Sequence, residues 1–224
     1  MALLAPHLTY VELPQGSLLI QPDTRIDYLY FLERGLASTD ALSNTGRSVE
    51  VGVTGREGVV GFSVLLGQQT IPHVVIMQGA GSGYRIRASV AAQEFAKGGD
   101  FLRLVHQFLY SHIVQVSQSV LCNRLHEAEP RLARWLLMAA DHMDSNHLVL
   151  TQEFISQMLG STRSTVTITA GELQSQGLIH YSRGKIRVLD RAGLEKIACE
   201  CYAVVRARHP GGTAVATANH ATRR

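Results

Sequence analysis

The sequence predicts an α+β chain: an N-terminal β-roll, one long helix, and a C-terminal winged helix-turn-helix. Three observations carry this reading. Short β-rich runs separated by glycine turns fill roughly the first ninety residues. After residue 100 the apolar residues recur at the three-and-four spacing of a helix. Near the C-terminus, two short helical segments across a glycine are followed by a basic hairpin pattern.

The roll is read from Leu18-Leu19-Ile20, Tyr28-Leu29-Tyr30-Phe31-Leu32, Val49-Glu50-Val51-Gly52-Val53 and Val74-Val75-Ile76-Met77. Turns are expected at Pro14-Gln15-Gly16, Gly35, Ser43-Asn44-Thr45-Gly46, Gly55 and Gly79-Ala80-Gly81. Short strands with frequent glycine turns fit a sandwich or roll, and more than half of the 20 glycines fall in the first 83 residues.

A short helix capped by Ser89 is expected to reach Phe95 and to stop at Gly98-Gly99. A long helix then runs from about Asp100 to Leu125. Leu102, Val105, Leu109, Ile113, Val116 and Val120 fall at steps of three and four, which makes one continuous face. Phe101, Leu104 and Phe108 form a second face. Two apolar faces need two surfaces: the roll supplies one, and a second copy of the helix supplies the other in a two-fold homodimer. Glu129-Pro130 marks a new helix start, and Arg131 to Met143 is strongly helical up to Asp144-Ser145-Asn146.

Thr151 suits an N-cap for a helix over Gln152 to Leu159. Gly160 supplies the turn, and a second helix restarts at Ser161-Thr162 and reaches about Gln174. Ile155, Leu159 and Val166 are expected to face inward, with the small Ser156 where the two helices approach. Two alternating runs around Arg183-Gly184 then form a hairpin, the wing, on which Arg183, Lys185 and Arg187 suit phosphates.

Composition narrows the function classes. The 224 residues are 46% hydrophobic and 17% charged, enough for a sizeable core. No apolar run reaches the roughly 18 residues of a membrane span, and the N-terminal residues lack the basic flank of a secretion signal, so a cytoplasmic protein is expected. The net charge of +3 is unevenly placed. Residues 1–100 hold 7 basic and 9 acidic side chains, and residues 101–224 hold 14 and 9, as expected if the second half meets a polyanion. Three cysteines, Cys122, Cys199 and Cys201, make no disulfide framework. Cys122 is read as a small core residue and Cys199-Glu200-Cys201 as an ordinary helix end.

The whole layout, over about residues 8–202, resembles the Crp/Fnr superfamily of bacterial transcription regulators. The most specific stretch runs from Leu150 to Val166 (LTQEFISQMLGSTRSTV), and Gln176-Gly177-Leu178-Ile179 is similar to the residues the family carries before its wing. The resemblance implies a cyclic-nucleotide-binding-like jelly roll at residues 1–99, a dimerisation helix at 100–126, a DNA-binding domain at 127–209 and a flexible tail at 210–224. It also implies double-stranded DNA and RNA polymerase as partners. Arg163, placed one turn inside the second helix, matches a base-reading arginine of cyclic-AMP receptors. Ser164 stands where many members carry a glutamate, and Ile168 where many carry a second arginine. Thr167 and Ile168 remain able to meet a base edge or a thymine methyl. Thr151 and Thr162 cap the helices near phosphates, and Arg183 and Lys185 contact the backbone.

The sensor residues of the family are missing. Phe62 stands in the place of the glutamate that holds the ribose, and Ile71, Pro72 and His73 stand where an arginine-serine pair would hold a cyclic phosphate. No cysteine precedes Cys122, which disfavours the family's iron-sulfur cluster, and His73 alone is a weak haem ligand. An enzyme of the metal-dependent roll type needs converging histidines, and the β-rich part offers only His7 and His73. No catalytic, metal or cofactor site is assigned. The expected function is a homodimeric, sequence-specific DNA-binding transcription regulator acting on a pseudo-palindromic operator. The rival reading is a ligand-binding regulatory subunit that acts through protein partners.

Overall fold

A computed structural model describes residues 4–208 of the chain. The expected tail at 210–224, and residue 209 of the expected DNA-binding domain, lie outside the described residues. The roll contains β1 (Thr9–Leu13), β2 (Leu18–Ile20), β3 (Tyr28–Leu42), β4 (Ser48–Thr54) and β5 (His73–Arg87). All pair antiparallel in the order β1-β5-β3-β4, with β2 also on β5.

Two expected turns are not turns. Gly35 and Gly79-Ala80-Gly81 lie inside β3 and β5, which run on as two 15-residue strands. The register between these strands slips three times from Leu32 to Ala37. Gly35 has φ +95°, and a Cβ there would stand 2.9 Å from the Gly79 carbonyl oxygen and from Gly81 Cα. The two backbones pass too close for side chains, so the glycines bend the ribbon rather than end it. On one side of the bend, Leu29 and Ile86 feed a core with Val105 and Phe108. On the other, Ala37, Val75 and Met77 feed a second core with Leu13 and Ile20. The turns at Pro14–Gly16 and Ser43–Gly46 are present as expected, the latter closed by Gly46 N–H to Ser43 O at 2.9 Å.

Helix α1 (Ala88–Ala96) begins one residue before Ser89, so Ser89 is inside the helix and caps nothing. The Ala88 N–H is taken instead by Asp27 O. Helix α2 (Gly99–Leu125) is the long helix. Its faces divide differently from the sequence pattern. Val105, 3% exposed, is buried with Phe108 in the roll core, and Phe101 and Leu109 pack against the same cluster. Val116 and Leu102 are half-buried, while Leu104 is exposed. The free apolar stripe is Tyr110, Ile113 and Val120, exposed by 60%, 64% and 67%. Val105 is therefore corrected from the free face to the roll face. A regular three-and-four spacing holds for several overlapping stripes, and only docking on β4 chooses among them. That docking is set by Gly52, where a Cβ would stand 3.0 Å from Gln115 Oε1, and by Val53 N–H donating to the same oxygen at 2.7 Å.

Helix α3 (Ala128–Met143) starts three residues before Arg131, with Pro130 in its first turn. It is buried nearly all round because it packs on both halves of the molecule. Leu36 and Val53 of the roll share one core with Leu132, Trp135 and the residues that follow. Trp135 Nε1–H donates to Glu50 of β4 at 2.8 Å, and His142 Nδ1 lies 3.1 Å from Glu57. The remaining elements are β6 (His147–Val149), α4 (Gln152–Leu159), α5 (Arg163–Ser175), β7 (Ile179–Ser182), β8 (Lys185–Val188), α6 (Arg191–Ile197) and α7 (Cys201–Arg206). Strand β6 adds a third strand to the wing, in the order β6-β8-β7. Among the described residues, no helix is long and apolar enough to cross a membrane.

Candidate nucleic-acid interface

Helices α4 and α5 form the helix-turn-helix, each held at its start by a threonine. Thr151 Oγ1 accepts from Phe154 N–H at 3.2 Å, and Thr162 Oγ1 from Thr165 N–H at 3.3 Å. Gly160, at φ +56°, ends α4 in the left-handed region that disfavours other residues. Ile155, Leu159 and Val166 are buried as the sequence pattern expects, and Ser156 is buried beside the turn.

Burying Val166, Thr169, Ala170 and Leu173 turns the opposite side of α5 to solvent. Arg163, Ser164, Thr167 and Ile168 all lie on that exposed side, together with Thr151 and Thr162. One detail differs from the sequence reading. Arg163 is the first residue of α5, not one turn inside it, because Thr162 occupies the cap. Its guanidinium is paired with the Glu153 carboxylate of α4, and both side chains are more than half exposed. Gln152 Nε2 donates to Thr167 Oγ1 at 3.3 Å, and Thr167 Oγ1 donates to Arg163 O at 3.0 Å. The surface is thus a short ordered set of donors and acceptors at a helix N-terminus, where unpaired backbone N–H groups favour anions. Ile168 is 63% exposed, an apolar group that no described residue covers.

The wing turns on two adjacent left-handed residues, Arg183 at φ +50° and Gly184 at φ +75°, the conformation of a two-residue hairpin loop. Arg183, Lys185 and Arg187 are exposed. Gln174 Oε1 accepts from Tyr181 N–H at 2.7 Å and fixes the wing to α5.

In the roll, Phe62 opens a 3-10 turn (Phe62–Leu66), and its ring packs edge-on to Phe108 and His112 of α2 at centroid distances of 5.7 and 5.3 Å. Gly58 lies under the Phe108 ring so closely that a Cβ would collide with it. Ile71 packs on the inner core, and His73 begins β5 opposite Ala41. A nearby cleft of about 370 Å³ is walled by Leu8, Phe31, Tyr84, Phe101 and Phe108, with Arg56 and Glu57 at its polar part.

Sequence reasoning missed one cluster. Cys122 and Cys199 lie 3.5 Å apart, sulfur to sulfur, and Cys201 Sγ is 3.7 Å from His126 Nδ1. The four candidate ligand atoms all lie within 4.8 Å of one another. The Cys122 thiol is lowered to about 5, chiefly by its hydrogen bond with Cys199, then by the Arg134 charge. A Cys-x3-His pair and a Cys-x-Cys pair were the available signals, separated by more than seventy residues.

Comparison with known proteins agrees with this geometry. Residues 130–197 match the Crp-like helix-turn-helix domain family. The chain is 27% identical over 177 residues to the transcriptional regulator SdrP of Thermus thermophilus, covering 77% of this chain and 84% of SdrP. Its fold is similar to that of FixK2 from Bradyrhizobium japonicum, with TM-score 0.72, 16% identity, and coverage of 86% of this chain and 98% of the other. It is also similar to a putative transcriptional regulator of the Crp/Fnr family from Eubacterium rectale, with TM-score 0.69, 20% identity, and coverage of 88% and 92%.

Proposed function

We propose that this Crp-family transcription regulator, with its helix-turn-helix DNA-binding domain, acts as a homodimer on a pseudo-palindromic operator. The observation that carries the reading is the exposed start of α5. Arg163, Ser164, Thr167 and Ile168 sit in solvent on a helix whose other side is locked in the core. Arg163 is the base-reading side chain, suited to a bidentate contact with guanine worth about 1–3 kcal/mol of discrimination. Ile168 takes a thymine methyl, and Thr167 hydrogen-bonds beside it. Thr151, Thr162, Arg183 and Lys185 hold phosphates and set the register. Glu153 holds Arg163 in the free protein, so base reading requires the guanidinium to leave or share that carboxylate.

The stripe Tyr110, Ile113 and Val120 is the dimer seam, with Leu102, Leu109 and Val116 at its edge. Paired this way, two recognition helices enter successive major grooves about 34 Å apart. The proposed units are the roll, the α2 helix, and the winged helix from residue 127 onward, with RNA polymerase as the downstream partner. The aromatic filling around Phe62 supports a roll that does not take cyclic nucleotides in the family's usual mode. A signal acting there meets apolar walls rather than a phosphate clamp.

The test is selection of bound sequences from random double-stranded DNA, using the full chain with no added ligand. A palindrome with half-sites one helical turn apart is expected. No enrichment, with weak binding that barely responds to salt, refutes the reading in favour of a protein-partner role.

A further inference from the structure

We propose that Cys122, His126, Cys199 and Cys201 bind one zinc ion, which clamps the end of the long helix α2 to α7 of the winged-helix domain. The argument begins with spacing. Cys122 and His126 are four residues apart and share one face in the last turns of α2. Cys199 and Cys201 flank Glu200 where the chain enters α7. Packing of α7 against α2 brings the two pairs together with all four ligand atoms inside 4.8 Å. A tetrahedral zinc with bonds of about 2.0–2.3 Å has ligand-to-ligand edges of roughly 3.6–3.8 Å. The observed 3.5 Å between Cys122 and Cys199 and 3.7 Å between Cys201 and His126 Nδ1 already approach that. Three buried sulfurs and one half-buried imidazole form a structural zinc donor set, and the spread suits a single ion rather than a cluster.

Two further observations point to a metal. His126 presents Nδ1 to the cysteines while its Nε2 lies 3.2 Å from Glu200 Oε1. A carboxylate on the far nitrogen is what fixes the tautomer and orientation of a zinc-bound histidine. The second observation is charge. Zinc with three thiolates carries a net charge of −1. Arg134 of α3 is 6% exposed, its Nη1 meets only the sulfur of Met138, and its Nε has no hydrogen-bond partner among the described residues. A buried guanidinium with so few hydrogen bonds is costly unless anions lie near it, and Glu50 is one such neighbour. Cys122 and Cys201 are within reach of its charge. Helix α7 is itself anchored: Arg191 donates to Asp141 and to Tyr202 Oη, both at 2.6 Å, and Tyr202 Oη donates to Asp141 at 2.8 Å. The cysteines beside Tyr202 are therefore held ready.

The experiment uses the reduced full-length chain stripped of metal and titrated with Co²⁺, followed by displacement with Zn²⁺. One equivalent per chain is expected, with the visible bands of tetrahedral cobalt and the near-ultraviolet thiolate-to-cobalt transition, both lost when zinc displaces it. Glu200→Gln, at an exposed side chain, is expected to keep that spectrum and weaken binding about 10-fold. Replacing Cys199 and Cys201 together by serine should abolish uptake. The proposal is overturned if the reduced wild-type chain takes up no stoichiometric metal, or if bound cobalt is octahedral. It is equally overturned if the double serine variant binds as well as the wild type. None of these readouts involves DNA, so the site stands or falls apart from the operator reading.

Discussion

The roll and the winged helix treat comparable surfaces in opposite ways. At Phe62 the roll is covered by aromatic packing, with the Phe108 and His112 rings of α2 against it. At α5 the winged helix leaves Arg163, Thr167 and even Ile168 in water. Arg163, Ser164 and Thr167 beside Ile168 make an exposed, largely polar edge at a helix start, where backbone N–H groups favour anions. At Phe62 the rings of the roll and of α2 cover one another, and a cleft remains only beside them. The same chain thus shows one surface kept open for contact and one closed by its own residues.

The largest test of this contrast is Phe62→Ala. Loss of a partly buried ring that packs on two aromatic neighbours should lower stability by about 2–4 kcal/mol, read by denaturant unfolding. A change below about 1 kcal/mol would mean the ring is not cementing the roll to α2. Arg163→Ala should leave the unfolding curve in place and cut discrimination at one symmetric operator position by about 1–3 kcal/mol. Unchanged preference in a competition assay would remove Arg163 from base reading.

The joint between the two regions titrates. Burial pushes the Glu50 carboxyl up from near 4.5 to about 7, against the hydrogen bond from Trp135. The folded state therefore keeps a proton that the unfolded chain releases. This contribution is complete below about pH 4.5 and is lost as pH rises through about 7. Glu50→Gln should flatten the fall in melting temperature between pH 5.5 and 8, a difference of about 1–2 kcal/mol allowing for partial exposure. An identical pH profile in the variant would show that the joint does not hold the proton. The smallest effects belong to the rim of the proposed DNA surface. Lys185→Ala should weaken every sequence equally and reduce the salt slope by about 1 per protomer. Glu153→Gln should strengthen binding a few-fold by freeing Arg163 and removing a negative charge near phosphates. A loss of affinity in that variant would mean Glu153 positions Arg163 rather than competing for it.

Local chemistry makes much of this legible in the sequence. Thr151, Gly160 and Thr162 are cap and turn residues, and they start and stop α4 and α5 as cap and turn residues do. Arg183-Gly184 marks the hairpin for the same reason, since a two-residue loop needs left-handed backbone. Gly35 and Gly79-Ala80-Gly81 misled because a glycine signals permissive backbone, not what the backbone does with it. A turn and a close crossing of two strands make the same demand on the residue.

What the sequence by itself determined was the order of roll, long helix and winged helix, the caps at Thr151 and Thr162, and the exposed face of α5, all set within a few residues. The tertiary structure alone decided which stripe of α2 is free, because docking of Gly52 against Gln115 rotates Val105 into the roll. It alone assembled Cys122 and His126 with Cys199 and Cys201, since a ligand set depends on distance in space and those pairs are joined only by the packing of α7 on α2.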